Sequence, residues 1–127
     1  MGFNFILIDS ETTVDMSMLK ELAEDDPVII KPLIELFLTN VPESIEKMNL
    51  YYELKDWANV YTMAHFIKST LSVIKIGKVY EALVDIELKA KNQIELDSIK
   101  PIINYIELQY GIAERLLKKE LLKIGGT

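Results

Sequence analysis

The apolar residues of this chain recur at three- and four-residue spacing almost throughout, and that periodicity constrains its fold more than any other feature. From Ile30, the positions Leu33, Ile34, Phe37, Val41, Ile45, Met48 and Tyr52 form one stripe. A 3.6-residue turn puts such positions on one face, so the spacing predicts a long amphipathic helix. Asp26 followed by Pro27 supplies its start, an acceptor for free amides and then a ring that needs no amide partner. Pro32 and Pro42 fall inside the span. Each removes an intrahelical bond, so a late start, a kink or both are expected. A second stripe, Val60, Met63, Ala64, Ile67, Leu71 and Ile74, opens behind Asp56 and is expected to end near Gly77. A third runs Val79, Leu83, Ile86 and Ala90 and closes at Lys91-Asn92-Gln93. The fourth begins after Asp97, with Pro101 tolerable only near its first turn. It continues through Ile99, Ile102, Ile103, Ile106, Tyr110, Ala113, Leu117 and Leu121, and Gly125-Gly126 ends it as a loose tail.

Upstream, Leu19, Leu22 and Ala23 behind the cap candidate Asp15 predict a short helix, and Phe3 to Ile8 reads as an extended arm. Little else alternates at period two, so strands are expected to be minor or absent. The expected fold is all-α: an antiparallel four-helix bundle with a short N-terminal helix and an extended N-terminal arm. The 127 residues fit one domain, with a core over about residues 15–122.

Composition narrows the chemistry. Without cysteine there are no disulfides, no thiolate catalysis and no cysteine-based metal site, which fits a reducing, cytoplasmic setting. With one histidine, neither a multi-histidine metal centre nor a Cys-His pair can be built. The five glycines are scattered, so no glycine-rich phosphate loop exists. A net charge of −6 argues against broad binding to a nucleic-acid backbone. The longest apolar runs fall far short of the ~20 residues a membrane helix needs. Phe3 to Ile8 lacks the basic lead-in and the cleavage site of a signal peptide.

His65 is therefore the residue to follow. At ~100° per residue it points roughly 150° away from the apolar stripe of its helix, toward water. Ala58, Tyr61, Thr62, Ser69 and Ser72 share its side, mostly small residues, and Lys68 lies at i+3, where helix side chains meet. From Trp57 to Tyr80 there are 24 residues without Asp or Glu, while Lys68, Lys75 and Lys78 make the stretch locally positive. A surface histidine in a chance charge fluctuation would look the same. Even so, a neutral imidazole is a good nucleophile at cellular pH. Attack on a phosphoryl group needs an accessible ring and a cation for the oxygens, and here no acid stands nearby in the sequence.

Ala64-His65-Phe66-Ile67-Lys68-Ser69-Thr70-Leu71 resembles the core motif of histidine-containing phosphotransfer domains: a histidine, an apolar residue two on, a lysine three on, then small residues. Val79, Leu83, Ile86 and Glu87 fall where that family has the apolar positions and glutamate of its following helix. Asp26, Phe37, Pro42, Ile45 and the Lys55-Asp56-Trp57 junction resemble its lead-in helix and turn, so the likeness spans about Ile8 to Leu121. Two positions depart. Ser69 stands where many members have glycine directly after the lysine. Lys75 stands where many have glycine ten residues after the histidine, which predicts that the helix runs on slightly before turning at Gly77.

The resemblance implies a phosphocarrier. His65 would accept a phosphoryl group from a receiver-domain phospho-aspartate or a histidine kinase, and pass it to a receiver aspartate. Lys68 would neutralise the phosphate, and Ala58, Tyr61, Thr62, Ser69, Ser72 and Lys75 would form the docking surface. No metal or cofactor is implied here, since Mg²⁺ belongs to the partner receiver. The expected partners are a response-regulator receiver domain, a hybrid histidine kinase or both, with no nucleic acid and no membrane, and a monomer suffices. Kinase or hydrolase machinery is not implied. Two other readings stay open: a helical adaptor that binds receivers or kinases without being phosphorylated, and an unrelated bundle with an incidental histidine.

Overall fold

The computed structural model describes residues 12–124. The arm at Phe3 to Ile8 and the Gly125-Gly126 tail lie outside them. Along the described chain run β1 (Val14–Asp15), α1 (Ser17–Leu22), α2 (Pro27–Glu53), α3 (Trp57–Thr70), β2 (Lys75–Ile76), α4 (Val79–Asn92), a 3-10 turn (Leu96–Ser98) and α5 (Ile99–Ile124). The chain is predominantly helical. Packing joins α2 to α3, α3 to α4, α4 to α5 and α5 back to α2, so each long helix has two long-helix neighbours.

The starts follow the capping residues. Asp26 accepts from the Val28 amide at 2.9 Å with Pro27 in the first turn, and Asp56 accepts from the Asn59 amide at 3.3 Å. The start of α1 differs: its N-cap position is Met16, which makes no side-chain cap, while the expected cap Asp15, one residue earlier, takes the amide of Ser17 at 2.9 Å. Hydrogen bonds from Ser17 hold it below the usual carboxylate range. At the other end, Gln93 closes α4 in the left-handed region at φ 51°.

The stripes become the core. Ile34, Phe37, Val41, Ile45 and Met48 of α2 meet Val60, Ala64 and Ile67 of α3, Leu83 and Ile86 of α4, and Ile102, Ile103, Ile106 and Leu117 of α5. Two assigned positions fall outside it. Leu22 is 67% exposed and Leu33 40%, because the short α1 covers only part of the first turns of α2.

Neither proline delays α2, which begins at Pro27 and runs through Pro32 and Pro42 as one 27-residue helix. Pro42 has no N–H, so the Leu38 carbonyl one turn earlier loses its usual donor. The Tyr110 hydroxyl of α5 reaches that carbonyl at 3.4 Å. Burial and the nearby Glu114 push the Tyr110 phenol well above its ordinary value, which keeps it a donor at any physiological pH.

The end of α3 differs from the expectation. The helix stops at Thr70, short of Gly77, and Lys75 lies in a strand instead of prolonging it. Three features explain the early stop. Ser69 and Thr70 bend their hydroxyls back onto the His65 and Phe66 carbonyls at 3.1 Å, a habit that weakens helices. Val73, Ile74 and Ile76 are β-branched and stiff in a helix. Antiparallel pairing is also available just beyond: Val14 opposes Ile76, Asp15 opposes Lys75, and the Gly77 amide donates to the Thr13 carbonyl at 2.9 Å. Gly77 turns the chain into α4 at φ 40°, where a side chain would be strained.

Two stability measurements check this packing. Phe37→Ala empties a buried site and is expected to cost ~3–5 kcal/mol in denaturant unfolding. Tyr110→Phe is expected to cost ~0.5–1.5 kcal/mol in the parent and markedly less in a Pro42→Ala background, where an amide again serves the Leu38 carbonyl. Equal costs in both backgrounds would separate the phenol from the proline.

Candidate functional site

Ala64 and Ile67 press into the core, which turns His65 and Lys68 of the same helix toward the rim between α3 and α4. The His65 side chain is 57% exposed, as its angle to the stripe predicts. Facing it from α4 is Glu87, buried to 7% exposure. One carboxylate oxygen lies 2.7 Å from His65 Nδ1 and the other 2.7 Å from Lys68 Nζ. A single desolvated carboxylate thus joins the two α3 side chains.

The expectation of a histidine without an acid nearby is therefore corrected. The 24-residue stretch is free of acids along the chain, but α4 folds back and brings one to the ring. Glu87 accompanied Leu83 and Ile86 in the family likeness only as a match of register. Its role had a signal of its own in the sequence: Leu83, Ile86, Glu87 and Ala90 form one helical stripe, and a carboxylate in a buried stripe needs cationic or donor partners.

Glu87 determines which imidazole nitrogen is free. An ionised carboxylate only accepts hydrogen bonds, so the ring nitrogen beside it carries the hydrogen. The Nδ1–H form leaves the lone pair on Nε2, at the exposed edge of the ring. Tyr61, one turn earlier, lies nearly parallel to the ring at 9°, with centroids 6.1 Å apart. The hydrogen bond to Glu87 holds the Lys68 ammonium above its ordinary value despite desolvation, so this lysine stays charged. Its Nζ also sits 5.9 Å from the centre of the Tyr80 ring of α4.

Not all the expected docking residues share one helix face. Ala58, Thr62 and Ser69 are exposed on α3, and Tyr61 is half-buried against the ring. Thr62 and Ser69 spend their hydroxyls on the Ala58 and His65 carbonyls, at 3.0 and 3.1 Å. Ser72 and Lys75 lie beyond the end of α3, in the turn and in β2. Ser69 and Ser72 instead border an apolar groove of about 440 Å³ whose walls include Leu22, Ile29, Leu33 and Leu36. Among the described residues, no group of His, Asp and Glu is placed to hold a metal ion, and no helix is long and apolar enough to cross a membrane.

Comparison with known proteins is silent. No family model, curated protein or solved structure matches the chain.

The tautomer is directly measurable. Long-range ¹⁵N–¹H couplings in the parent are expected to show the hydrogen on Nδ1, and Glu87→Ala should return the ring to the mixture of a free imidazole. An unchanged pattern in the variant would remove Glu87 from control of the ring.

Proposed function

We propose that this chain is a phosphorelay phosphocarrier, a histidine-containing phosphotransfer protein in which His65 Nε2 takes and gives the phosphoryl group. One observation carries the reading: an exposed imidazole whose inner nitrogen is held by a buried carboxylate that also binds a lysine. On this reading α2 to α5 form an antiparallel four-helix bundle that serves as the rigid mount, and the protein works in the cytoplasm. Its partners are receiver domains and a hybrid histidine kinase. Any Mg²⁺ sits on the receiver.

The step balances with these groups alone on this side. The Nε2 lone pair attacks the phosphorus of a receiver's aspartyl phosphate and forms the N–P bond as the P–O bond breaks. The aspartate leaves as a carboxylate. The ring keeps its Nδ1 hydrogen and becomes cationic, and Glu87 offsets that charge where it arises. Lys68 supplies positive charge at the same rim for the phosphoryl oxygens. Reversal onto a second receiver's aspartate regenerates neutral His65. An isolated helix face offers no cage around phosphorus, so the partner supplies the rest of the site.

Incubation with a phosphorylated receiver should produce an acid-labile, base-stable phosphoryl group on this chain that is absent from His65→Ala. Binding to the receiver without labelling would favour the adaptor, which the apolar groove beside Ser69 and Ser72 could serve with either residue at position 65. Neither binding nor labelling would leave the histidine incidental. Within the proposed reaction, Lys68→Ala should keep the fold and slow transfer roughly tenfold or more, since a charge-assisted hydrogen bond is worth ~1.5–3 kcal/mol. A parent-like rate in that variant would take Lys68 out of the transfer step.

A further inference from the structure

The ion pair between Lys68 and Glu87 raises a question of placement. An ammonium carries three N–H donors, so Lys68 can keep its 2.7 Å contact to Glu87 and turn another N–H toward phosphoryl oxygens, provided that it stays at the rim. The same carboxylate has a second claimant, because a ring that becomes cationic pulls harder on Glu87 through Nδ1. Phosphorylation therefore strengthens the His65 side of the Glu87 bridge and gives the Lys68 ammonium a second anion to reach for. That ammonium is on a flexible four-carbon stem, and a further contact is needed to keep it between the two.

The geometry points to Tyr80 as the positioning residue that keeps the Lys68 ammonium at the rim of His65, within reach of both Glu87 and the phosphoryl oxygens. This rests on the phosphocarrier reading. Tyr80 stands in the first turn of α4, two turns from Glu87 and on the same side of that helix. Its ring faces Lys68 Nζ at 5.9 Å, inside the ~6 Å range of cation–π attraction. The side chain is 45% exposed, so the core does not account for an aromatic residue there. A ring face attracts a cation without neutralising it, which suits a holding contact: the ammonium stays charged and remains free to turn toward phosphate. Tyr80 touches neither phosphorus nor the reacting nitrogen in this scheme and acts only through Lys68.

Two measurements test the assignment. The first is independent of any transfer: exchange of the Lys68 ammonium hydrogens with water, followed by ¹⁵N NMR on the full chain. Tyr80→Leu is expected to speed exchange about two- to fivefold, the range an exposed cation–π contact supports, and Tyr80→Phe to leave it at the parent rate. The second is phosphorylation of His65 by phosphoramidate, a small donor that brings no docking surface. Tyr80→Leu should slow it about two- to fivefold, Tyr80→Phe should restore it, and in a Lys68→Met background Tyr80→Leu should have no further effect. Parent-like exchange in Tyr80→Leu overturns the assignment, as does a transfer defect that persists without the lysine. If the parent takes no phosphoryl group at all, the carrier reading falls, and the exchange measurement still decides the contact between Tyr80 and Lys68.

Discussion

A carboxylate withdrawn from water has to be matched by donors or cations, and the arrangement of α3 against α4 follows from how Glu87 meets that demand. Its oxygens take His65 Nδ1 and Lys68 Nζ, both from one face of α3, at the same short distance. Moving either helix along the other by one residue would leave a buried charge without partners, a penalty of several kcal/mol. The apolar layer of Ala64, Ile67, Leu83 and Ile86 supplies the attraction between the helices. The polar bridge fixes their register.

The same accounting explains how α2 carries two prolines. Near the solvent-exposed first turns, the carbonyl that Pro32 leaves without a donor can be served by water. Pro42 sits against α5, and there a phenol takes the place of the missing amide. The long helices share one apolar core beneath the His65 rim.

Much of this was legible in the sequence. The stripes of α4 and α5 and the starts at Asp26 and Asp56 could be read because periodicity and caps act over one or two turns. The outward direction of His65 followed from the same angle arithmetic. What could not be read was non-local. The end of α3 depends on a competing pair of strands contributed from residues 14 and 15. The acid beside His65 comes from a residue 22 positions later. An acid-free stretch of chain is one-dimensional, whereas electrostatic surroundings are set by whatever the fold brings near.

The short ladder between Val14–Asp15 and Lys75–Ile76 has a kinetic consequence. It joins residues about sixty positions apart, so closing it carries a loop-entropy cost that α3 and α4, neighbours in the chain, largely escape when they pack together. The α3–α4 contacts are accordingly expected to form before the ladder, and local opening to run in reverse. Because α1 and the turn after Thr70 line the apolar groove beside Ser69 and Ser72, loosening them would reshape that groove without touching the bridge from His65 through Glu87 to Lys68. The histidine bridge thus belongs to the helices that pack locally, and the adjoining groove to the segment that the long-range ladder ties down.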